Sequence, residues 1–215
     1  MTQRTLTGIV AIVALIAGIY GAIYIAPPEA DENTVDYFQY YPAPKAIDEF
    51  TLTDANGDPF TRENLKNKWT LVFLGYTYCP DVCPTTLASL KKIWPVLSSR
   101  FEKSNIQVLF LSVDPKRDTI QRLNSYISFF NKDFLAATGP HAEIFPLVRN
   151  LGLMYALSED TEKEAYLVDH SASVVVVGPD AEVIGRFKPT MEPGKLAISD
   201  SEQILADMPK IVSSR

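Results

Sequence analysis

Cys79 and Cys83 are the chain's only cysteines, four positions apart in GYTYCPDVCPTTL directly after an apolar run. Two soft thiols at such a strand-to-helix turn can bind a metal or cycle as a disulfide. Asp169-His170 stands beside a second apolar run, ASVVVV, and could add an imidazole. Two thiolates and one imidazole form a soft three-donor set suited to Cu(I), and able to hold Cu(II) or Zn(II). A structural disulfide is the competing reading, since exported pairs often form one. It would close a very short loop and so constrain the unfolded chain little. His170 taken alone could be an ordinary buried or surface histidine. The other histidine, His141, follows Gly139-Pro140 and reads as a surface residue.

The elements around these residues must bring them together. Residues 69–75 (WTLVFLG) and 107–113 (QVLFLSV) are short runs rich in β-formers and apolar on both faces, as central strands of a covered sheet are. Between them, residues 85–101 place Leu87, Leu90, Ile93, Trp94 and Leu97 three and four apart, which predicts an amphipathic helix and a parallel βαβ unit. Pro84 would clash inside a regular helix begun at Cys79. The expected start is therefore Pro84, with Cys83 at the N-cap, where amides and the helix dipole lower a thiol's pKa. Helices are also expected over 118–130, opened by Asp118-Thr119, over 142–151, closed by Gly152, and over 195–208. Residues 50–57 (FTLTDANG) turn through Asn56-Gly57 towards Phe60, and residues 172–177 and 182–187 flank Gly178-Pro179-Asp180. Both read as hairpins. The order predicts a thioredoxin-like α/β fold with an extra N-terminal β-hairpin. In it the 172–177 strand runs antiparallel to 69–75, so His170 meets Cys79 and Cys83 at one sheet edge.

Three segments are expected: an anchor over 1–26, a linker over 27–45 and a single domain over 46–215. Residues 6–26 carry no charge and are long enough to cross a bilayer core of about 30 Å as one helix. Arg4 precedes them and Glu29, Asp31, Glu32 and Asp36 follow, which puts the N-terminus inside and the bulk outside. The run is longer than a signal-peptide core and ends at Pro27-Pro28, a poor cleavage site. No Arg- and Ser-rich transit sequence precedes it, so a bacterial inner membrane with a periplasmic domain fits better than a mitochondrial inner membrane facing the intermembrane space. Pro27, Pro28, Pro42 and Pro44 favour extended backbone in the linker. The net charge of −6, with no basic stripe, excludes nucleic acid as an expected partner. The polar residues 158–164 (SEDTEKE) read as a solvated loop.

GYTYCPDVCP (75–84), SVDPKRDT (112–119), DHSA (169–172), the apolar N-terminus and FTLTDANG together resemble the Sco/SenC family of copper chaperones for cytochrome c oxidase. The resemblance implies one copper, Cu(I) or Cu(II), per chain, held by Cys79, Cys83 and His170. It implies delivery to the binuclear CuA site of oxidase subunit II, and it admits an upstream copper donor. No catalytic residue is assigned. The alternative is a thiol:disulfide oxidoreductase that keeps the CuA cysteines reduced, with Cys79 attacking and Cys83 resolving. A peroxide-reducing relative would need a proline in the LGYTYC approach, which is lacking. Asp114, Arg117 and Asp118 match a family motif, yet read physically as a turn followed by a helix cap.

Overall fold

The computed structural model describes residues 3–25, 34–101, 105–157 and 166–214. Helix α1, Gln3–Ile25, is long and apolar enough to cross a membrane by length and composition. The polar 158–164 segment lies outside the described residues.

The predicted central strands form because every one of their side chains can be buried. Strands β4 (Trp69–Gly75) and β5 (Ile106–Ser112) are buried along their whole length and pair in parallel, Phe73 opposite Phe110. Helix α2, Val82–Arg100, crosses between them. On the other side of β4 lies β9 (Val174–Val177), antiparallel, with Phe73 opposite Val174. It forms the expected hairpin with β10, Glu182–Phe187. Strands β2 (Thr51–Asp54) and β3 (Pro59–Thr61) form the other hairpin, whose turn uses the positive φ of Gly57.

Alternation along the strands divides the core between two faces. Leu71 and Phe73 pack with α2, with α3 (Ile120–Phe130) and with α5 (Ser201–Ser213). Val72 and Leu74 face α4, His141–Asn150. The full sheet order is β1-β10-β9-β4-β5-β6-β2-β3, with β1 at Gln39–Ala46 and β6 at Leu135–Thr138.

Four expectations need correction. Residues 39–45, read as linker, are the edge strand β1; its prolines are tolerated because only an edge strand can leave backbone unpaired. Strand β6 was not anticipated. Helix α2 starts at Val82 rather than Pro84, with Asp81 as N-cap and Cys83 as its second residue. Pro84 is accommodated because first-turn amides have no partner inside the helix. Helix α5 starts at Ser201 and not 195, where Asp200 accepts from the Glu202 amide. Thr119 alone caps α3, accepting from the Arg122 amide.

The chain enters the domain through a buried carboxylate. Asp207, fully buried on α5, accepts from the amides of Asp36 (3.1 Å), Tyr37 (2.6 Å) and Phe38 (2.9 Å). The folded unit therefore begins before β1. Replacing Asp207 with Ala leaves three amides without their acceptor, and should lower the unfolding free energy of the full chain in detergent by about 2–4 kcal/mol. Chemical denaturation reads this directly; an unchanged midpoint would show that the contact carries no stability.

Candidate metal centre

Strand β4 stops at Gly75, whose carbonyl still accepts from the Val113 amide at 2.9 Å. The chain then leaves the sheet through Tyr76-Thr77-Tyr78, and the Cys79 amide donates back to the Tyr76 carbonyl at 3.2 Å. A buried polar knot holds this turn. Asp118 accepts from the Thr77 amide (2.9 Å), the Thr77 hydroxyl (2.7 Å) and the Ser112 hydroxyl (2.6 Å). Burial pushes the Asp118 carboxyl up, against the lowering effect of those three donors. Arg122 adds a bond from Nε to Thr77 Oγ1 at 2.6 Å and lays its guanidinium over Tyr78, 3.8 Å from the ring centroid.

The placement of the thiols reverses part of the expectation. The α2 N-terminus serves Cys79: the Cys83 amide donates to Cys79 Sγ at 3.5 Å. Cys79 is half-buried and Cys83 fully buried. The Cys79 thiol is held well below the ordinary value, first by a hydrogen bond from the Cys83 thiol. Burial opposes this, while His170 and the Cys83 and Asp81 amides reinforce it. The Cys83 thiol is pushed strongly up, by burial first and by its neighbour second. One sulfur is thus a ready thiolate, and the other holds its proton more tightly, so that a metal ion taking its place must displace it.

Gly75 makes room for the buried sulfur. A Cβ built there would lie 2.6 Å from Cys83 Sγ and 2.7 Å from Phe110 Cε2.

His170 ends β8 (Val168–His170), which pairs with β7 (Tyr155–Leu157) in a separate two-stranded ribbon that was not predicted. Tyr155 is the direct partner of His170, and its hydroxyl shares a 2.8 Å hydrogen bond with His141 Nδ1 on α4. His141 is therefore partly buried and braces the ribbon, correcting its reading as a plain surface residue. His170 Nδ1 lies 3.2 Å from the Ser171 carbonyl, which can only accept. In the tautomer that serves this carbonyl, Nδ1 carries the proton and Nε2 presents its lone pair towards the thiols, 3.4 Å from Cys83 Sγ. Phe73 and Tyr76 meet the imidazole edge-on.

Cys79, Cys83 and His170, all singled out from the sequence, offer donor atoms within 4.8 Å of one another. Asp169 points to solvent and belongs to no such cluster among the described residues. Two sulfurs and one imidazole nitrogen fit Cu(I) best among the common ions. The site opens into a cleft of about 230 Å³ walled by Tyr76, Pro80 and Leu167.

The sequence pattern of the SCO1/SenC family matches residues 39–206. The chain belongs to this family. A Stutzerimonas stutzeri protein named for copper binding is 35% identical over 147 residues, covering 68% of this chain and 71% of its own length. The mitochondrial SCO1 homolog of mouse is 30% identical over 161 residues, 75% of this chain; the match spans only 57% of the mouse protein. The copper-bound structure of Bradyrhizobium japonicum ScoI superposes with a TM-score of 0.61 at 29% identity, over 78% of this chain and 98% of that one. The thioredoxin-like class expected from the sequence agrees with these neighbours.

A Gly75→Ala variant tests the packing of this family member's site. The added methyl displaces the Cys83 sulfur or the Phe110 ring, at about 1–3 kcal/mol of stability, and the displaced thiol should bind copper at least about tenfold more weakly. Competition with a Cu(I) chelator measures the affinity, and undiminished binding would mean that the sulfur is free to move.

Proposed function

We propose that this chain is a membrane-anchored copper metallochaperone that holds one copper through Cys79, Cys83 and His170. The observation that carries this reading is the convergence of two thiols and an imidazole nitrogen within 4.8 Å at an open edge. In the copper-free state Cys79 supplies a thiolate, and His170 turns Nε2 towards the sulfurs, 3.4 Å from Cys83 Sγ. Copper binding displaces the Cys83 proton and exchanges a hydrogen-bonded trio for three metal bonds. Three ligands at a cleft leave the ion approachable, which suits handover by ligand exchange.

Membership of the SCO1/SenC family supports a role in cytochrome c oxidase assembly, with the CuA domain of subunit II as acceptor. The apolar α1 and the acidic residues after it support an anchor in a bacterial inner membrane with the domain in the periplasm. The unequal thiols also favour the second reading. Cys79 would attack an acceptor disulfide and Cys83 would resolve the mixed disulfide, so that two electrons pass to the acceptor and Cys79–Cys83 is left oxidised.

Anaerobic Cu(I) loading of the reduced protein discriminates between the two. The wild type should hold about one copper per chain, Cys79→Ala and Cys83→Ala should hold none, and His170→Ala should bind weakly. A wild type without copper whose thiols still cycle would replace the chaperone reading with the oxidoreductase one.

A further inference from the structure

Tyr166 and the Arg117 guanidinium lie face to face, 3.5 Å from the guanidinium carbon to the ring centroid. Tyr166 stands four residues before His170, just ahead of β8. The same guanidinium lies 4.9 Å from the centroid of Tyr78 and 5.5 Å from that of Tyr76, both on the turn that ends in Cys79. Arg117 Nη1 also donates to the Tyr166 carbonyl at 2.8 Å. The Tyr166 hydroxyl donates to Asp114 Oδ1 at 2.5 Å, and Asp114 in turn pairs with Arg117 Nε. Burial and the Asp114 carboxylate push the Tyr166 phenol up to about 12, so it remains a donor. Asp114 is fully buried, and the Arg117 side chain nearly so.

The metal donors come from two pieces of chain that meet at one end of the core, where Tyr76 packs edge-on against the imidazole and joins the same apolar cluster as Tyr166 and Val168. Cys79 and Cys83 belong to the β4–α2 turn. His170 belongs to the β7–β8 ribbon, which is no part of the main sheet. One planar cation bridges the two pieces, contacting rings on one and a ring and a carbonyl on the other.

We propose that Arg117 is a positioning residue that sets the distance between the thiol pair and the His170 imidazole. It touches no metal donor and acts through Tyr166, Tyr76 and Tyr78. The inference rests on the copper-site reading above and deepens it, since it names what makes the third ligand available. Lysine cannot replace arginine here. A compact ammonium lacks the flat face that stacks on Tyr166 and the several N–H groups that reach Asp114 and the Tyr166 carbonyl together. The role differs from that of the Asp118–Thr77 knot, which fastens the cysteine turn to the end of β5 and makes no bond to His170.

A double-mutant cycle tests this on the full chain in detergent, with Cu(I) affinity read by chelator competition. Arg117→Lys should weaken copper about tenfold in the wild-type background and by less than about twofold in the His170→Ala background, because an imidazole that is absent cannot be misplaced. A merely structural arginine would cost the same in both. With Cu(II), Arg117→Lys should shift the spectrum towards that of His170→Ala. Tyr166→Phe, which keeps the ring and loses only the bond to Asp114, repeats the cycle if Arg117→Lys fails to fold, and should show the same non-additivity at smaller size. Equal losses in both backgrounds, or an unchanged Cu(II) spectrum, would overturn the assignment. A wild type that bound no copper would instead overturn the reading on which it rests.

Discussion

The registration of β4 between two unlike neighbours governs the site. Its parallel partner β5 and antiparallel partner β9 place Gly75, Ser112 and Val174 at one edge of the sheet. Each of these strand ends leads directly to a part of the centre. Gly75 leads to the cysteine turn, Ser112 to the Asp114–Asp118 turn that clamps it, and Val174 follows the segment bearing His170. The constraint is a hydrophobic one. All three strands are buried along their whole length, so a slip by one residue would turn Leu71 and Phe73 away from the α2, α3 and α5 face and towards the α4 face. Burial of apolar side chains on both faces thus fixes the meeting of ligands that are far apart in sequence.

Polar interactions at that edge do a second job. Apolar packing ends where the strands end, and the segments beyond it are irregular. Asp118 replaces a missing ladder by accepting three donors from the cysteine turn and β5, and two arginines lie over the ring of Tyr78, just ahead of Cys79. A buried carboxylate held by neutral donors is costly unless fully satisfied, and here its satisfaction coincides with the geometry the thiols need. The centre also keeps its two sulfurs electrically unlike. Cys79 lies at the helix N-terminus, which favours its thiolate, and Cys83 lies in the core, where burial disfavours a second negative charge.

Much of this was legible from residue patterns. The largely apolar WTLVFLG and VLFLS runs announced the central strands, and the three-and-four spacing from Leu87 to Leu97 announced α2. Cys79, Cys83 and His170 followed from residue type and topology. What was missed has physical reasons. β1 contains Pro42 and Pro44 and is largely exposed, so it looks like a tether until its pairing with β10 is seen. β6, LAAT, is four small or apolar residues without alternation, and β7 and β8 are three residues each, too short for a period to register. The α5 start was set too early because Leu196 and Ile198 extend an apolar spacing across residues that only Asp200 separates from the true helix. The role of Gly75 was hidden because a glycine at a strand end usually signals a turn, whereas here its missing side chain is the space Cys83 occupies.

The central claim is that three donors on two separate pieces of chain converge on one ion. X-ray absorption at the copper edge of the Cu(I)-loaded protein tests it without passing through activity or folding. The account predicts a first shell of two sulfurs and one nitrogen per copper, reduced to sulfur alone in His170→Ala. A wild-type shell lacking nitrogen, or sulfur ligation bridging two chains, would contradict it.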